Sequence, residues 1–328
     1  MMRIAFCGTP EFAVPSLRAL LADSLFTVEA VVTQPDRPRG RGHAVSASAV
    51  KEVALEAGRH VYQPETIKSD SALDFFKRLA PDAVVIIAYG QIIPQRLIEI
   101  PRLGWINLHA SLLPRYRGAA PIAWAIVSGD SVTGLTTMRI DAGMDTGPIL
   151  MQRELEIGPD ETAPELARRM SEAGAPLVAE SLRKLDRGEI TPRAQDSSEA
   201  TYAPLLTKED GRIDWSHTAQ QIYNRIRGLA PWPGAYTTFR GQLCHIWGRP
   251  AELPAAAAGP SGVTVSAVGS AEASAPGTLL AAGESIDVVC GEGTRLRLDA
   301  VQMEARKRIT AREFVNGAHL APGERFGT

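Results

Sequence analysis

Only three cysteines occur in 328 residues, Cys7, Cys244 and Cys290, too few and too scattered for a disulfide framework. No Cys-x-x-Cys or His-Glu-x-x-His spacing marks a metal site, so the expected interior is reduced and metal-free. Neither sign of charge dominates: 35 Lys and Arg against 37 Asp and Glu leave a formal net charge of -2, so a polyanionic partner would need a local basic patch. Apolar runs fall far short of a membrane span, and MMRIAFCGTPEF lacks the basic leader and apolar core of a signal peptide, which predicts a cytoplasmic, soluble protein with no membrane partner; a monomer is expected, although the sequence does not fix the oligomeric state. CGTPEF after the first strand is not the G-x-G-x-x-G of a dinucleotide site. There is no phosphate loop of the G-x-x-x-x-G-K-[ST] type and no G-x-S-x-G elbow, which removes the warrant for nucleotide and serine-ester hydrolysis.

What is present fits two domains. Residues 3–7, 28–32, 83–88, 104–109, 133–140 and 149–155 read as strands. Residues 12–21, 48–57, 72–79, 119–127 and 165–185 read as helices. The alternation predicts an α/β fold, a Rossmann-like domain with a parallel sheet over 1–189. A Pro-punctuated stretch at 190–207 reads as a linker, and 208–328 as a small OB-like β-barrel with a helix at 216–228 and strands at 235–239, 243–247, 285–289 and 294–301. Residues 251–277, rich in Ala, Gly and Ser, read as a flexible insertion between barrel strands.

The chemistry gathers in INLHASLLPRYRG, residues 106–118. Side chains alternate along a strand, so Asn107 and His109 share one face, at the carboxyl end where open α/β sheets bind ligands. An amide that donates and an imidazole that donates or exchanges a proton suit a carbonyl oxygen turning negative, and so acyl transfer. The plainer alternative is a turn-capping Asn and a core His. In DAGMDTGP, residues 141–148, Asp145 is placed to orient His109, or to act as an ordinary turn Asp, with Asp141 facing the same choice. Arg37, Arg39 and Arg41 lie in TQPDRPRGRGH, a connection longer than a strand-to-helix link needs; they either grip phosphates or are a solvated tip. Arg306, Lys307 and Arg308 form a second basic group.

Taken together, FCGTPEFAVPSL, TQPDRPRGRG, AYGQIIP, GWINLHASLLPRYRGAAPI and DAGMDTG resemble, in order and spacing, the methionyl-tRNA formyltransferases among the folate-dependent formyltransferases. RIDW, RGLAPWPGAY and APGTLL continue the likeness more loosely. The resemblance implies formyl transfer from 10-formyltetrahydrofolate, a co-substrate, to the α-amino group of initiator methionyl-tRNA. It implies that Asn107 and His109 stabilise the oxyanion and that Asp145 holds His109 and assists proton transfer. It further implies that Ser111, Leu112, Leu113 and Pro114 form a folate-binding turn. Tyr89, Gly90 and Gln91 would meet the pterin, and Arg41, beside Arg37 and Arg39, the tRNA acceptor end. The chain departs from the family in the 251–277 insertion, in Ala110 and in Trp124. Two competing expectations are a formyltransferase acting on a nucleotide-linked amino sugar and a non-catalytic RNA-binding protein.

Overall fold

The computed structural model describes residues 1–39, 44–252, 275–283 and 285–327. Arg41 and residues 253–274 of the expected insertion lie outside the described residues. The chain divides into two compact units, one of residues 1–122 and 131–205, the other of 123–130 and 206–328.

The strands of the first unit are β1 (Met2–Gly8), β2 (Phe26–Val32), β3 (Arg37–Arg39), β4 (Ala44–Ser46), β5 (His60–Tyr62), β6 (Ala83–Ile87), β7 (Trp105–His109), β8 (Arg117–Gly118), β9 (Val132–Arg139), β10 (Ile149–Glu156) and β11 (Tyr202–Ala203). Seven of them make one sheet in the spatial order β10-β9-β7-β6-β1-β2-β5. Strands β5, β2, β1, β6 and β7 are parallel. Every residue of β6 is buried, as a strand covered on both faces requires. The sheet is not parallel throughout: β9 pairs antiparallel with β7, and β10 antiparallel with β9. Hydrophobic periodicity is blind to strand direction, and the turn at 140–148 folds β9 and β10 into a hairpin. The three-residue edge strand β5 is too short for periodicity to reveal. Arg37 and Arg39 sit in a short antiparallel pair, β3 with β4, where a plain loop was expected.

Helices α1 (Val14–Ala22), α2 (Ala49–Glu56), α3 (Asp70–Leu79) and α4 (Gln95–Ile98) connect the strands, and α6 (Ala163–Asp186) follows β10. Their starts are set by side chains that satisfy free backbone amides: Ser48 accepts from Lys51 N, Ser69 from Ala72 N, and Thr162 with Glu165 forms a capping box before α6. A short helix α5 (Pro121–Val127) follows the Asn–His motif.

The second unit contains α7 (Ala219–Gly228), β12 (Tyr236–Phe239), β13 (Gln242–Pro250), β14 (Leu279–Ala282), β15 (Ser285–Val289), β16 (Arg295–Met303), β17 (Ile309–Thr310) and α8 (Ala311–Ala318). Its sheet runs β12-β13-β16-β15-β14, with β17 beside β16. Cys244 and Ile246 of β13 point into a core with Trp215, Ile222, Phe239, Val288, Leu296 and Phe314, while His245 between them is on the other face and partly exposed. The C-terminal tail spans the gap between the sheet's ends: Leu279 N donates to Glu324 O at 2.8 Å, Phe326 N to Gly277 O and Gly327 N to Thr238 O, each at 2.9 Å. Phe326, stacked on Trp215, plugs the core from that tail.

Candidate active site

Strand β7 carries the motif to its carboxyl end. Ile106 and Leu108 are buried, and Asn107 is half-buried on the opposite face. No hydrogen bond to another described residue engages the Asn107 amide, which leaves its donors for a ligand. His109, only 6% exposed, has a polar neighbour at each ring nitrogen, one of them within hydrogen-bond distance. Nε2 lies 2.9 Å from the Tyr116 carbonyl oxygen, and a carbonyl only accepts, so Nε2 carries a hydrogen. Nδ1 faces Asp145 Oδ2 at 3.6 Å, within electrostatic reach but outside hydrogen-bond distance. The structure brings Asn107, His109 and Asp145 to one sheet end.

Asp145 sits at φ 53°, a left-handed conformation unusual for a side-chain-bearing residue. Its Oδ2 accepts the Gly118 amide at 2.8 Å. Asp141 takes the plainer reading: its Oδ1 accepts from Gly143 N at 3.0 Å and the Thr146 hydroxyl at 2.7 Å, which shapes the loop.

The Ser111–Pro114 turn is laced to β9 and β10. Ser111 Oγ donates to Arg115 O at 2.6 Å, Thr136 Oγ1 donates to Ser111 O at 2.7 Å and accepts from Leu113 N at 3.1 Å, and Gln152 Nε2 donates to Leu113 O at 2.9 Å. Leu113 packs with Met138 and Ile149. Leu112 lies over Gly134, whose missing Cβ would stand 2.5 Å from its Cδ2. Across the sheet end, the Tyr89 carbonyl accepts from Gln34 Nε2 at 3.0 Å, and its ring is buried among Cys7, Ile86 and Trp105, where burial pushes the phenol far above its usual range. Gln91 ties the loops together, accepting from Ile67 N at 2.7 Å. Gly90, Gln91, Arg37, Lys68, Thr9 and Gln34 line a polar cleft of about 820 Å³ beside this loop. Arg37 is exposed there.

Sequence reasoning missed the residues that hold the site together: Tyr116, whose carbonyl sets the His109 tautomer, Gly118, and Gln195, which reaches the Asp145 loop from a polar stretch with no motif. In the second unit the Arg308 guanidinium covers the Trp247 ring at 4.0 Å. Among the described residues, no group of acidic, His and Cys side chains is arranged to hold a metal, and no helix is long and apolar enough to cross a membrane.

Residues 2–182 match the formyl transferase family model, and residues 205–319 match the model for the formyl transferase C-terminal domain. A methionyl-tRNA formyltransferase from Solibacter usitatus is 51% identical over 99% of this chain and 99% of its own. Among solved structures, WlaRD, a sugar 3N-formyl transferase, superposes with a TM-score of 0.63 at 18% identity over 94% of this chain and 99% of its own. HypX from Aquifex aeolicus in complex with tetrahydrofolic acid superposes with a TM-score of 0.58 at 17% identity over 96% of this chain, which spans 47% of that protein's length.

Proposed function

The chain belongs to the methionyl-tRNA formyltransferase family, and from this we infer that it transfers a formyl group from 10-formyltetrahydrofolate to the α-amino group of initiator methionyl-tRNA, in the cytoplasm, for translation initiation. The single observation that carries the reading to chemistry is the His109–Asp145 pair at one sheet end beside an Asn107 amide with no hydrogen-bond partner among the described residues.

The amino nitrogen attacks the formyl carbon, and the formyl oxygen takes the electron pair as an oxyanion. Asn107 Nδ2 donates to that oxygen, while His109 Nδ1, bare in the Nε2–H form, takes the proton the amine gives up, and the imidazolium so formed, facing Asp145, stabilises the oxyanion. The amine gives up a proton, N10 of the folate takes one, and collapse of the intermediate breaks the formyl–N10 bond. With Nε2 committed to Tyr116, only Nδ1 is left for this exchange. The 111–114 turn and the backbone at 89–91 are the proposed folate contacts. Arg37, Arg39 and Arg41 are the proposed contacts to the acceptor end, and the domain at 208–328 is proposed to bind the tRNA body beyond the catalytic domain at 1–189.

The test compares initiator methionyl-tRNA, elongator methionyl-tRNA and an amino-sugar nucleotide as acceptors under one set of conditions. Strong preference for the initiator is expected; sugar formylation without a tRNA product overturns the substrate.

A further inference from the structure

The segment between the two large folding patterns runs as a strap under the His109–Asp145 pair. Arg193 and Ile149 exchange both backbone hydrogen bonds at 2.8 Å. Two residues on, Gln195 Nε2 donates to Asp145 O at 2.8 Å and to Gly147 O at 2.7 Å. Its Oε1 accepts from Arg117 Nε at 3.1 Å and Nη2 at 2.8 Å, and Arg117 is only 3% exposed. Thr201 Oγ1 then accepts the Tyr116 amide at 2.8 Å, and Thr201 O the Arg117 amide at 2.8 Å, where β11 runs parallel to β8.

We propose that Gln195 and Thr201 are positioning residues for the transfer reaction, Gln195 holding Asp145 and Thr201 holding the Tyr116 carbonyl against His109. The inference rests on the formyl-transfer reading above. A guanidinium cation on Oε1 polarises the Gln195 amide and strengthens both of its N–H bonds to the loop. Those two bonds clamp the carbonyls on either side of Thr146, which keeps Asp145 in its left-handed conformation with Oδ2 toward Nδ1. Thr201 fixes the residue whose carbonyl dictates which His109 nitrogen is protonated. One short polar segment thereby sets both partners of the pair.

The experiment uses the full chain with 10-formyltetrahydrofolate and initiator methionyl-tRNA, and three variants: Gln195→Leu, Thr201→Val and Thr201→Ser. Misplacing reacting groups by an ångström costs on the order of a hundredfold, so kcat is expected to fall about 10- to 100-fold in Gln195→Leu and Thr201→Val, with KM for both substrates within about twofold. Thr201→Ser keeps the hydroxyl and is expected to restore kcat. Ring ¹⁵N NMR of His109, assigned against a His109→Gln variant, should show the Nε2–H form in the wild type and a mixture in Thr201→Val. Should Gln195→Leu not fold, the Val and Ser pair decides. Unchanged kcat in a folded Thr201→Val, or no recovery in Thr201→Ser, overturns the positioning role while leaving the reaction intact. A wild type that transfers no formyl group overturns the reaction, and the NMR arm still decides the tautomer.

Discussion

Asp145 Oδ2 is 2.8 Å from the backbone nitrogen of Gly118 and 3.6 Å from His109 Nδ1, so one amide anchors the carboxylate that faces the imidazole. Gly118 has φ 121°, and a Cβ there would stand 2.6 Å from Ala203 O. Gly118→Ala therefore has to move the amide that holds Asp145. Placing Ala at positive φ costs more than about 1 kcal/mol. A fall in Tm of at least about 2–4 °C is expected by calorimetry. Transfer should fall further than that loss explains, when assayed well below Tm. A Gly118→Ala enzyme with normal kcat would mean that the anchor is dispensable.

Removing an oxyanion donor costs about 2.7 to 4 kcal/mol of transition-state stabilisation. Asn107→Ala and His109→Ala should each lose about a hundredfold or more in single-turnover rate, with folding intact by circular dichroism. The half-buried amide of Asn107, unengaged among the described residues, makes it the cleaner test, since its loss leaves no described partner unpaired. Near-normal turnover in Asn107→Ala would remove it from the reaction.

Arg41→Leu should impair use of tRNA and spare the chemistry. A phosphate that no longer meets a cation lowers the salt dependence of binding by roughly one unit of slope. The expected result is a higher KM for methionyl-tRNA, a shallower log KM against log salt, and an unchanged rate with a small amine acceptor. Equal impairment with both acceptors would place Arg41 outside tRNA binding.

The site's first layer was legible because it obeys local rules. Asn107 and His109 sit two apart on a strand whose other residues, Trp105, Ile106 and Leu108, are buried, and the Gly-rich turn after β9 delivers Asp145. The support layer is not local. Gln195 lies 50 positions from Asp145 and 78 from Arg117, in a stretch whose Pro and Ser content reads as a connector, and no periodicity links them. Strand direction escaped the sequence for the same reason: β9, buried at all but its two end residues, reads alike whichever way it runs. In the second unit, closure by residues 324–327 depends on backbone bonds between segments far apart in the chain.

The three thiols follow from burial alone. Cys7, Cys244 and Cys290 are buried, and desolvation raises all three thiol pKa values, Cys244 and Cys290 to about 12. The thiolate is the reactive form, so the folded protein should resist Ellman's reagent at pH 8 and release three equivalents on denaturation. The sign of the stability effect follows. A thiol whose folded value lies above its unfolded value contributes fully below the unfolded pKa of about 8.5, and that contribution is lost as pH rises toward 12. Between those values the unfolded chain gives up protons that the folded chain keeps, which drives unfolding. Tm should therefore fall from about pH 9 upward. The fall should be shallower in a Cys244→Ala, Cys290→Ala double variant than in the wild type. Rapid labelling of a thiol in the folded protein at pH 8 would show that the site opens to solvent, and parallel slopes in the two proteins would assign the alkaline loss to other groups.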